Sequence, residues 1–367
     1  MALAIASFAQ QTINASITHD GLQRDYILYV PAIYNSNNPT PLVFNFHGYT
    51  SNANEQMQYG DFRAIADTAN FLLVHPMGTL DGSNQPYWNA NWGGAVDDIG
   101  FTEALLDSLA VSYNINMNRV FSTGMSNGGF MSYTLACELG HRIAAVASVT
   151  GTMNANQSST CTPSHPTPIM EIHGTLDTTV PYNGLAGSME SVSNVLSYWA
   201  NFNNCNTTPI QTAVPNTSLI DGCTATHFKY ENGDNGVEVE HYRIDLGAHT
   251  WPGAPIAIGT TNYDINASTK IWEFFAQYDI NGKIEINEIE ENELELITLS
   301  PNPVSDFFQI EGISASDFRV DIISAEGKTL LKMRNETFFD SNELTNGIYF
   351  LNISTGNSFR SIKFVKL

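Results

Sequence analysis

One glycine-rich segment around a serine has residue types and spacing that could do chemistry. Residues 122–131 read STGMSNGGFM, in which Gly124, Ser126 and Gly128 form the pattern G-x-S-x-G. The preceding RVFSTG suits a buried strand, and the following GGFMSYTLACEL suits a helix. A tight strand-to-helix turn needs glycine beside the serine and lifts the hydroxyl above the sheet, where it can attack a carbonyl carbon. We therefore predict that Ser126 is a nucleophile; the alternative is a turn that contains a serine by chance.

A serine nucleophile needs a base to take its proton and an acid to orient that base. In enzymes with this turn, the order along the chain is serine, acid, histidine. His249 lies in LGAHTWPG, just after the last apolar run, and Asp177 lies in IHGTLDTTVP, just beyond another. We predict that Ser126, Asp177 and His249 form a catalytic triad. The competing residues are interpreted as parts of strands or as a helix start: His173, His241, Asp97 and Asp98.

The negative oxygen that forms when serine attacks an ester needs hydrogen-bond donors. The backbone N–H of Asn127, directly after the serine, is the first predicted donor of this oxyanion hole. The second is predicted in the loop after VFNFHG and is Tyr49 or, alternatively, Thr50. His47 in the same loop is interpreted as structural.

Aromatic side chains are frequent in the predicted loops around these residues. Exposed aromatic rings in an open groove suit polymer chains or aromatic acyl groups. The alternative is that the tryptophans at 88 and 92 only pack their own loop. The predicted substrate-binding residues are Trp88, Trp92, Tyr182 and Trp251, together with Tyr49.

The elements that must position these residues alternate between strands and helices from residue 12 to residue 278. Continuous apolar runs such as PLVFNFHG, FLLVHP, AAVASVTG and PIMEIHG indicate strands that are covered on both faces. Helices are predicted over residues 55–70, 98–113, 128–139, 190–203 and 267–277. This alternation predicts an α/β fold with a mainly parallel sheet. An opening hairpin that turns at Asp20-Gly21 adds antiparallel strands at one edge.

Charge and cysteine content exclude several classes of protein. The chain has a net charge of −22, divided into −15 over residues 1–278, −6 over 279–297 and −1 over 298–367. No part is basic, so nucleic acid is not an expected partner, and no apolar run is long enough to span a membrane. The four cysteines form no C-x-x-C pair, and we expect no metal or cofactor. We predict two disulfides between sequence neighbours, Cys137–Cys161 and Cys205–Cys223; the alternative is buried reduced thiols.

Both ends of the α/β region carry segments of a different character. Residues 1–11 contain a short apolar run that ends in Ser7-Phe8-Ala9, a small-x-small cleavage pattern, and we interpret them as the remnant of a signal peptide; the alternative is a frayed terminus. Residues 279–297 are acidic and without aromatic residues, which predicts a solvated linker. Together with the disulfides, the first segment indicates an exported protein.

The last seventy residues, 298–367, are predicted to form a small β-sandwich of short alternating strands. They resemble the C-terminal sorting domain of the Por, or type IX, secretion system in Ser300-Pro301-Asn302-Pro303, the Gly327-Lys328 turn, Gly347-Ile348-Tyr349 and residues 363–366. The resemblance implies export across the outer membrane with the secretion machinery as partner, and a location outside the cell or on its surface. The alternative is a sandwich that binds carbohydrate or mediates adhesion.

The segments HGYTSN, GMSNGG, HGTLDTTVPY and GAHTWPG resemble secreted esterases of the α/β-hydrolase fold. The resemblance covers about residues 20–278. It is to polyhydroxybutyrate depolymerases and LpqC-like esterases, with feruloyl esterases, acetylxylan esterases and some polyester hydrolases as relatives. It implies hydrolysis of carboxylic esters through an acyl-serine intermediate.

The sixteen residues 151–166 replace the helical lid that many α/β-hydrolases carry, so we expect an open cleft. The predicted substrates are polymeric, aromatic or short-chain esters, including polyesters such as polyhydroxyalkanoates or poly(ethylene terephthalate). The alternative is a carbohydrate esterase that removes feruloyl or acetyl groups. Two other classes remain open, a serine peptidase and a surface binding protein without activity.

Overall fold

The computed structural model describes residues 10–155, 157–284, 297–313, 317–325, 327–355 and 358–367. Contacts between residues divide the chain into two compact units, residues 1–284 and 285–367. Most of the predicted signal-peptide remnant, and residues 285–296 of the predicted linker, lie outside the described residues. Within the described part of the chain, no helix is long and apolar enough to cross a membrane.

The first unit has fourteen strands among the described residues: β1 Gln11–His19, β2 Leu22–Val30, β3 Thr40–Phe46, β4 Leu72–Pro76, β5 Thr79–Leu80, β6 Pro86–Tyr87, β7 Ile115–Met125, β8 Ala145–Val149, β9 Ile169–Gly174, β10 Ile210–Ala213, β11 Thr224–Tyr230, β12 Val239–Asp245, β13 Tyr278–Asp279 and β14 Gly282–Lys283. Its α-helices are α1 Ala53–Tyr59, α2 Arg63–Ala69, α3 Asp98–Ser112, α4 Asn127–Glu138, α5 Gln157–Thr160, α6 Val192–Phe202 and α7 Ala267–Phe275.

Ten of these strands form one sheet in the order β1-β2-β4-β3-β7-β8-β9-β12-β11-β10. The six central strands, from β4 to β12, are parallel to one another, and the two strands at each edge of the sheet pair antiparallel. Strands β3, β4, β8 and β9 are buried along their whole length, as their continuous apolar runs predict. The predicted α/β-hydrolase fold class, with its opening antiparallel hairpin, is confirmed.

The helices cover both faces of this sheet, and α3, α4, α6 and α7 lie within two residues of the predicted bounds. The single helix predicted over residues 55–70 is wrong, because the structure has two short helices, α1 and α2. The side chain of Asn45, on the adjacent strand β3, donates a hydrogen bond to the carbonyl of Gly60. Because this carbonyl already accepts from Asn45, it does not need a helical hydrogen bond, and the chain can leave the helical conformation at residues 60–62.

Which cysteines can form a disulfide depends on the face of the sheet on which each one lies. Alternate residues of β3 separate the core into two clusters, with Phe44 on one side and Val43 on the other. The predicted Cys137–Cys161 disulfide is present and ties α4 to the segment after β8. The predicted Cys205–Cys223 disulfide is wrong: both thiols are free and buried. Cys205 packs in the cluster on one face and Cys223 in the cluster on the other, so the sheet separates them.

The second unit is built of short antiparallel strands. They are β15 Thr298–Ser300, β16 Phe307–Glu311, β17 Arg319–Ser324, β18 Thr329–Arg334, β19 Phe338–Asp340, β20 Gly347–Thr355 and β21 Ser358–Lys366. They form one sheet in the order β15-β16-β19 and another in the order β18-β17-β20-β21. Alternate side chains of both sheets, such as Phe308, Val320, Leu351 and Phe364, share one buried core. This arrangement confirms the predicted all-β sandwich.

Candidate active site

Ser126 lies at the turn between β7 and α4 with φ 56° and ψ −120°. A non-glycine residue rarely takes a positive φ, and such a conformation costs roughly 1–3 kcal/mol unless the surroundings hold it. A Cβ on Gly128 would lie 2.2 Å from the carbonyl oxygen of Phe46, and one on Gly124 would lie 2.6 Å from the backbone of Gly128. Both glycines are therefore needed for the backbone to pass from strand to helix at this point.

Asp177 and His249 are brought together by the loops after β9 and β12. His249 Nδ1 lies 2.6 Å from Asp177 Oδ2, and the backbone N–H groups of Thr179 and Val180 donate to Asp177 Oδ1 at 2.8 Å. Burial opposes ionisation of Asp177, but the hydrogen bonds from His173 and His249 hold its pKa well below the usual range. The ionised carboxylate accepts a hydrogen bond from Nδ1–H of His249, which leaves Nε2 with a lone pair that can accept a proton.

Ser126 faces a cleft of about 380 Å³, called here the Ser126 cleft, whose lining includes Tyr49, Asp81, Trp92, Phe130 and Met189. Thr179 and Val180, the two residues that hold Asp177, line the same cleft. No hydrogen bond joins Ser126 to His249 within the described ranges. In unliganded hydrolases, the hydrogen bond between nucleophile and base is often long and tightens when substrate binds.

The two predicted oxyanion-hole residues lie on elements that meet at Ser126. Asn127 is the first residue of α4, and its side chain clamps the backbone of Trp88, with Asn127 Oδ1 2.6 Å from Trp88 N and Nδ2 3.0 Å from Trp88 O. The N–H of Thr50 donates to the carbonyl of Pro86, so Thr50 is not free to serve as a donor. In the described part of the chain, the N–H groups of Tyr49 and Asn127 donate to no acceptor.

The predicted structural residues have structural partners. His47 is buried between the carbonyl of Gly48, which accepts from Nδ1 at 2.7 Å, and the N–H of Gly78, which donates to Nε2 at 2.9 Å. Burial lowers the pKa of His47 to about 4. Asp97 caps the start of α3, and Asp98 forms a buried ion pair with Arg24. None of these acids contacts His249.

The predicted aromatic binding residues differ in position. Trp92 is 45% exposed, lies edge-on to Phe130 and lines the Ser126 cleft. Trp88 also borders the Ser126 cleft, but its side chain is buried and its Nε1 donates to the carbonyl of His47, so its ring braces the loop. The prediction for Trp251 is wrong, because its ring is buried against Phe62.

Tyr182 is not among the residues that line the Ser126 cleft. Its hydroxyl contacts Nε2 of His241 at 2.9 Å, and its ring is edge-on to His173. The contacts of Tyr182 with His241 and His173 hold its ring in place, and its binding role stays a prediction.

Several lining residues of the cleft were not predicted as site residues from the sequence, among them Asp81, Phe130, Thr179, Val180 and Met189. Phe130 follows Ser126 by four residues in a predicted helix, and this spacing places both on one face. Asp81 and Met189 come from loops that only the folded chain brings to Ser126. Asp81 accepts a hydrogen bond from the Tyr49 hydroxyl at 2.8 Å.

Among the described residues, one group of three side chains, His19, Asp20 and Asp97, has donor atoms close enough to share a metal ion. None of the three lines the Ser126 cleft.

Similarity to known proteins agrees with this geometry. A bifunctional acetylxylan esterase/xylanase of Neocallimastix patriciarum is 25% identical over 75% of this chain and 36% of its own length. Feruloyl esterase D of Neurospora crassa is 31% identical over 46% of this chain and 57% of its own length. The chain thus spans less than two thirds of these two relatives. The solved structure of an acetyl xylan esterase from Aspergillus awamori shares the fold, with a TM-score of 0.52, 15% identity and coverage of 73% of this chain and 99% of that one.

Two family models match separate parts of the chain. Residues 298–367 match a secretion system C-terminal sorting domain, which marks the protein for export to the cell surface or the surrounding medium. Residues 31–215, half of the chain, match the phospholipase/carboxylesterase family. Because this match covers half of the chain, the chain belongs to the phospholipase/carboxylesterase family.

Proposed function

We propose that the protein is an exported serine esterase that hydrolyses carboxylic esters through an acyl-serine intermediate. The observation that carries this proposal is the 2.6 Å contact between His249 Nδ1 and Asp177 Oδ2. The residues that hold Asp177 line the same cleft as a serine with a left-handed backbone at a helix start. Nucleophile, base and orienting acid are then Ser126, His249 and Asp177.

In the first half of the reaction, Ser126 Oγ attacks the ester carbonyl carbon while His249 Nε2 takes the hydroxyl proton. Ionised Asp177 stabilises the imidazolium that forms. The carbonyl oxygen becomes negative and receives hydrogen bonds from the N–H groups of Tyr49 and Asn127. When the tetrahedral intermediate collapses, the C–O bond breaks, and the alcohol leaves with the proton from His249.

The second half repeats these steps with water as the nucleophile. His249 Nε2 takes a proton from water as the oxygen attacks the acyl carbon. Collapse of the second tetrahedral intermediate breaks the bond to Ser126 Oγ, which recovers its proton from His249. The carboxylic acid leaves, and the site returns to its starting state.

The cleft supports esters with an aromatic, short-chain or polymeric acyl part. Trp92, Phe130 and Met189 offer an apolar wall, and Tyr49 and Trp92 are exposed at the rim. The described residues between β8 and β9 contain one helix of four residues, α5, and the Cys137–Cys161 disulfide holds this segment to α4. A chain that extends beyond the scissile bond therefore meets no large helical cover.

A carbohydrate esterase is the second candidate. It is favoured by the names of the two relatives, an acetylxylan esterase/xylanase and a feruloyl esterase. In this case the leaving alcohol is a sugar hydroxyl, and the acyl group that enters the cleft is acetyl or feruloyl. We also propose that the sorting domain over residues 298–367 delivers the esterase to type IX secretion machinery.

The test compares the wild type with Ser126→Ala on matched butyrate, laurate and ferulate esters, acetylated xylan and a polyester film. We expect short-chain and aromatic esters to exceed laurate in kcat/KM. We expect Ser126→Ala to lower kcat by roughly 10⁶, the scale found when an activated serine is removed. Residual activity of a tenth in Ser126→Ala would refute the proposed nucleophile. Faster cleavage of peptide amides than of esters would instead indicate a peptidase.

A further inference from the structure

A second imidazole–carboxylate pair, His173 and Glu171, lies next to Asp177. His173 and Glu171 are two residues apart on β9, so both side chains point to the same face of the sheet. His173 Nδ1 lies 2.7 Å from Glu171 Oε1, and both side chains are fully buried. Neither residue takes part in the steps described above.

The hydrogen-bond partners of His173 and Glu171 require an additional proton between these two side chains. His173 Nε2 lies 2.8 Å from the backbone carbonyl of Val180, which can only accept, so Nε2 carries a hydrogen. If Glu171 were ionised and His173 neutral, the lone pair of Nδ1 would face a carboxylate oxygen at 2.7 Å, which is repulsive. A proton must therefore lie between Nδ1 and Oε1. The pair is either imidazolium with carboxylate or imidazole with carboxylic acid, and its net charge is zero in both forms.

The surroundings of the pair keep this proton up to alkaline pH. Burial alone would lower the pKa of His173, but the hydrogen bonds to Asp177 and Glu171 outweigh it and raise that pKa to about 9. Burial also raises the pKa of Glu171, which accepts a hydrogen bond from the Tyr133 hydroxyl at 2.7 Å.

The other groups around the pair keep a fixed charge through this range. Burial lowers the pKa of His241 to about 3 and raises the pKa values of Tyr133 and Tyr182, so all three stay neutral near pH 9. Charged groups nearby include the carboxylate of Asp177 and, on β12, the guanidinium of Arg243 with its partner Asp245. His249 contacts the same Asp177 oxygen as His173.

His173 reaches the acid of the proposed triad by two routes. Its Nε2 lies 3.4 Å from Asp177 Oδ2, the same oxygen that contacts His249. It also holds the carbonyl of Val180, whose N–H donates to Asp177 Oδ1. We propose that Glu171 and His173 are positioning residues of the esterase, and that their shared proton fixes the Asp177 carboxylate in the orientation that aligns His249. This inference rests on the proposed triad.

The decisive experiment is the pH profile of kcat for Glu171→Gln against the wild type. The product acid of ethyl butyrate is titrated between pH 6 and 10.5, and the rate of Ser126→Ala is subtracted as background. The amide of Glu171→Gln can donate to Nδ1 and still accept from Tyr133, so it keeps the geometry without the titrating proton. We expect the wild type to lose activity reversibly with a midpoint near pH 9. We expect Glu171→Gln to lose this alkaline fall while kcat at pH 7.5 drops about two- to tenfold, since uncharged hydrogen bonds are weaker.

His173→Gln tests the positioning role at neutral pH. We expect kcat to fall on the order of 10- to 100-fold, the scale found when a group that orients a functional side chain is removed, with KM within about twofold. Glu240→Gln is the matched control, because His227 and Glu240 form another pair at 2.7 Å on the neighbouring strands β11 and β12. Its profile is expected to match the wild type.

Three results would overturn the inference: an unchanged alkaline fall in Glu171→Gln, full kcat in His173→Gln, or a wild-type rate that stays constant to pH 10.5. Failure of the proposed function would give a different result, because Ser126→Ala would then hydrolyse the ester as fast as the wild type.

Discussion

At the scale of single residues, the site combines a serine with a strained backbone and an ionised aspartate that backbone N–H groups hold in place. The left-handed backbone at Ser126 is held on both sides by glycines that no larger residue can replace, and Asp177 is held by two backbone N–H groups. Strain that the surroundings determine is a common property of catalytic positions. Substitution of the Ser126 side chain, which leaves both glycines in place, is therefore expected to change activity more than it changes folding.

Asp177 also makes stability depend on pH. Hydrogen bonds hold its pKa in the folded protein below the value of about 3.9 for an unfolded chain. The stabilisation is therefore complete above this unfolded value and is lost as the pH falls below it toward the folded pKa. We expect the Tm of the wild type, measured by thermal unfolding, to fall more between pH 5.5 and pH 2.5 than the Tm of Asp177→Asn. Equal losses would show that the carboxylate is not stabilised by its partners.

Asp81 places a negative charge in the Ser126 cleft. Backbone N–H groups of Gln85 and Ser83 and the Tyr49 hydroxyl lower its pKa, so it is ionised at neutral pH. No lysine or arginine lines the cleft in the described part of the chain. We expect Asp81→Asn to raise kcat/KM for an ester with a free carboxylate on its acyl part, such as a succinate half-ester, by roughly two- to tenfold at low salt. The neutral butyrate ester is expected to change less than twofold.

The matched control for Asp81 is Asp67→Asn, which removes the charge of another aspartate that accepts from a tyrosine, Tyr29 to Asp67 at 2.7 Å, outside the cleft. A gain for the anionic ester in both variants would mean that overall charge, rather than the cleft, sets the preference. A gain that persists at high salt would also contradict a charge effect.

At the scale of elements, the site depends on the ends of three parallel strands and the start of one helix. β7 ends at the Ser126 turn, β9 ends before Asp177, and β12 ends before His249. The carboxyl ends of parallel strands meet at one edge of the sheet, which is where ligands bind in open α/β folds. Helix α4 begins at Asn127 and is tied at its far end by the Cys137–Cys161 disulfide.

This disulfide is expected to stabilise α4, the helix that begins at the proposed oxyanion-hole donor Asn127. Chain-entropy arithmetic for a closed loop of this size gives about 3 kcal/mol. The double substitution Cys137→Ser/Cys161→Ser is therefore expected to lower Tm by roughly 6–12 °C for a domain of this size, measured by calorimetry. An unchanged Tm would mean that the bond does not constrain the unfolded chain.

Thiol counting distinguishes the two cysteine pairs. We expect two reactive thiols for each chain after denaturation without reductant and four after reduction. In the folded protein both free thiols should react slowly, because Cys205 and Cys223 are buried and burial raises their pKa values to about 11. Cys205→Ser/Cys223→Ser serves as the control and should show no thiol before reduction. No thiol in the denatured wild type would instead show a second disulfide.

At the scale of the whole molecule, the chain consists of two units with separate cores. The hairpin β13–β14 follows α7 and extends the first unit to Ile284, beyond the predicted limit at Tyr278. Lys283 on β14 forms an ion pair with Glu238, and Tyr278 donates to the same carboxylate. The hairpin therefore belongs to the catalytic unit, and any truncation should retain it.

Deletion of residues 298–367 is expected to abolish export in a host with the secretion system and to leave hydrolysis intact. The physical reason is that the catalytic unit and the sorting domain each bury their own core. Esterase assays of cell fractions and medium measure both effects, and deletion from residue 279, which removes the hairpin, is the comparison. A truncated chain that is exported, or one that cannot fold, would contradict the proposed division.

Much of this protein follows from local features of its sequence. The Ser126 turn was predictable because steric limits on glycine and the change from strand to helix act within ten residues. The parallel sheet was predictable because continuous apolar runs identify strands buried on both faces. Asp177 and His249 were singled out because chain order and loop position are readable without the fold, and their catalytic roles remain a proposal.

Only the tertiary structure decided which distant residues meet. Cys205 and Cys223 are eighteen positions apart and polar loops surround them, yet opposite faces of the sheet keep them from pairing. Trp251 lies two residues from His249, but its ring turns into the core instead of the cleft. Asp81 reaches the Ser126 cleft, and Tyr133 on α4 donates to Glu171 on β9, through packing between elements far apart in the chain. Local sterics and periodicity determine elements, whereas burial and side-chain contact depend on how all the elements pack together.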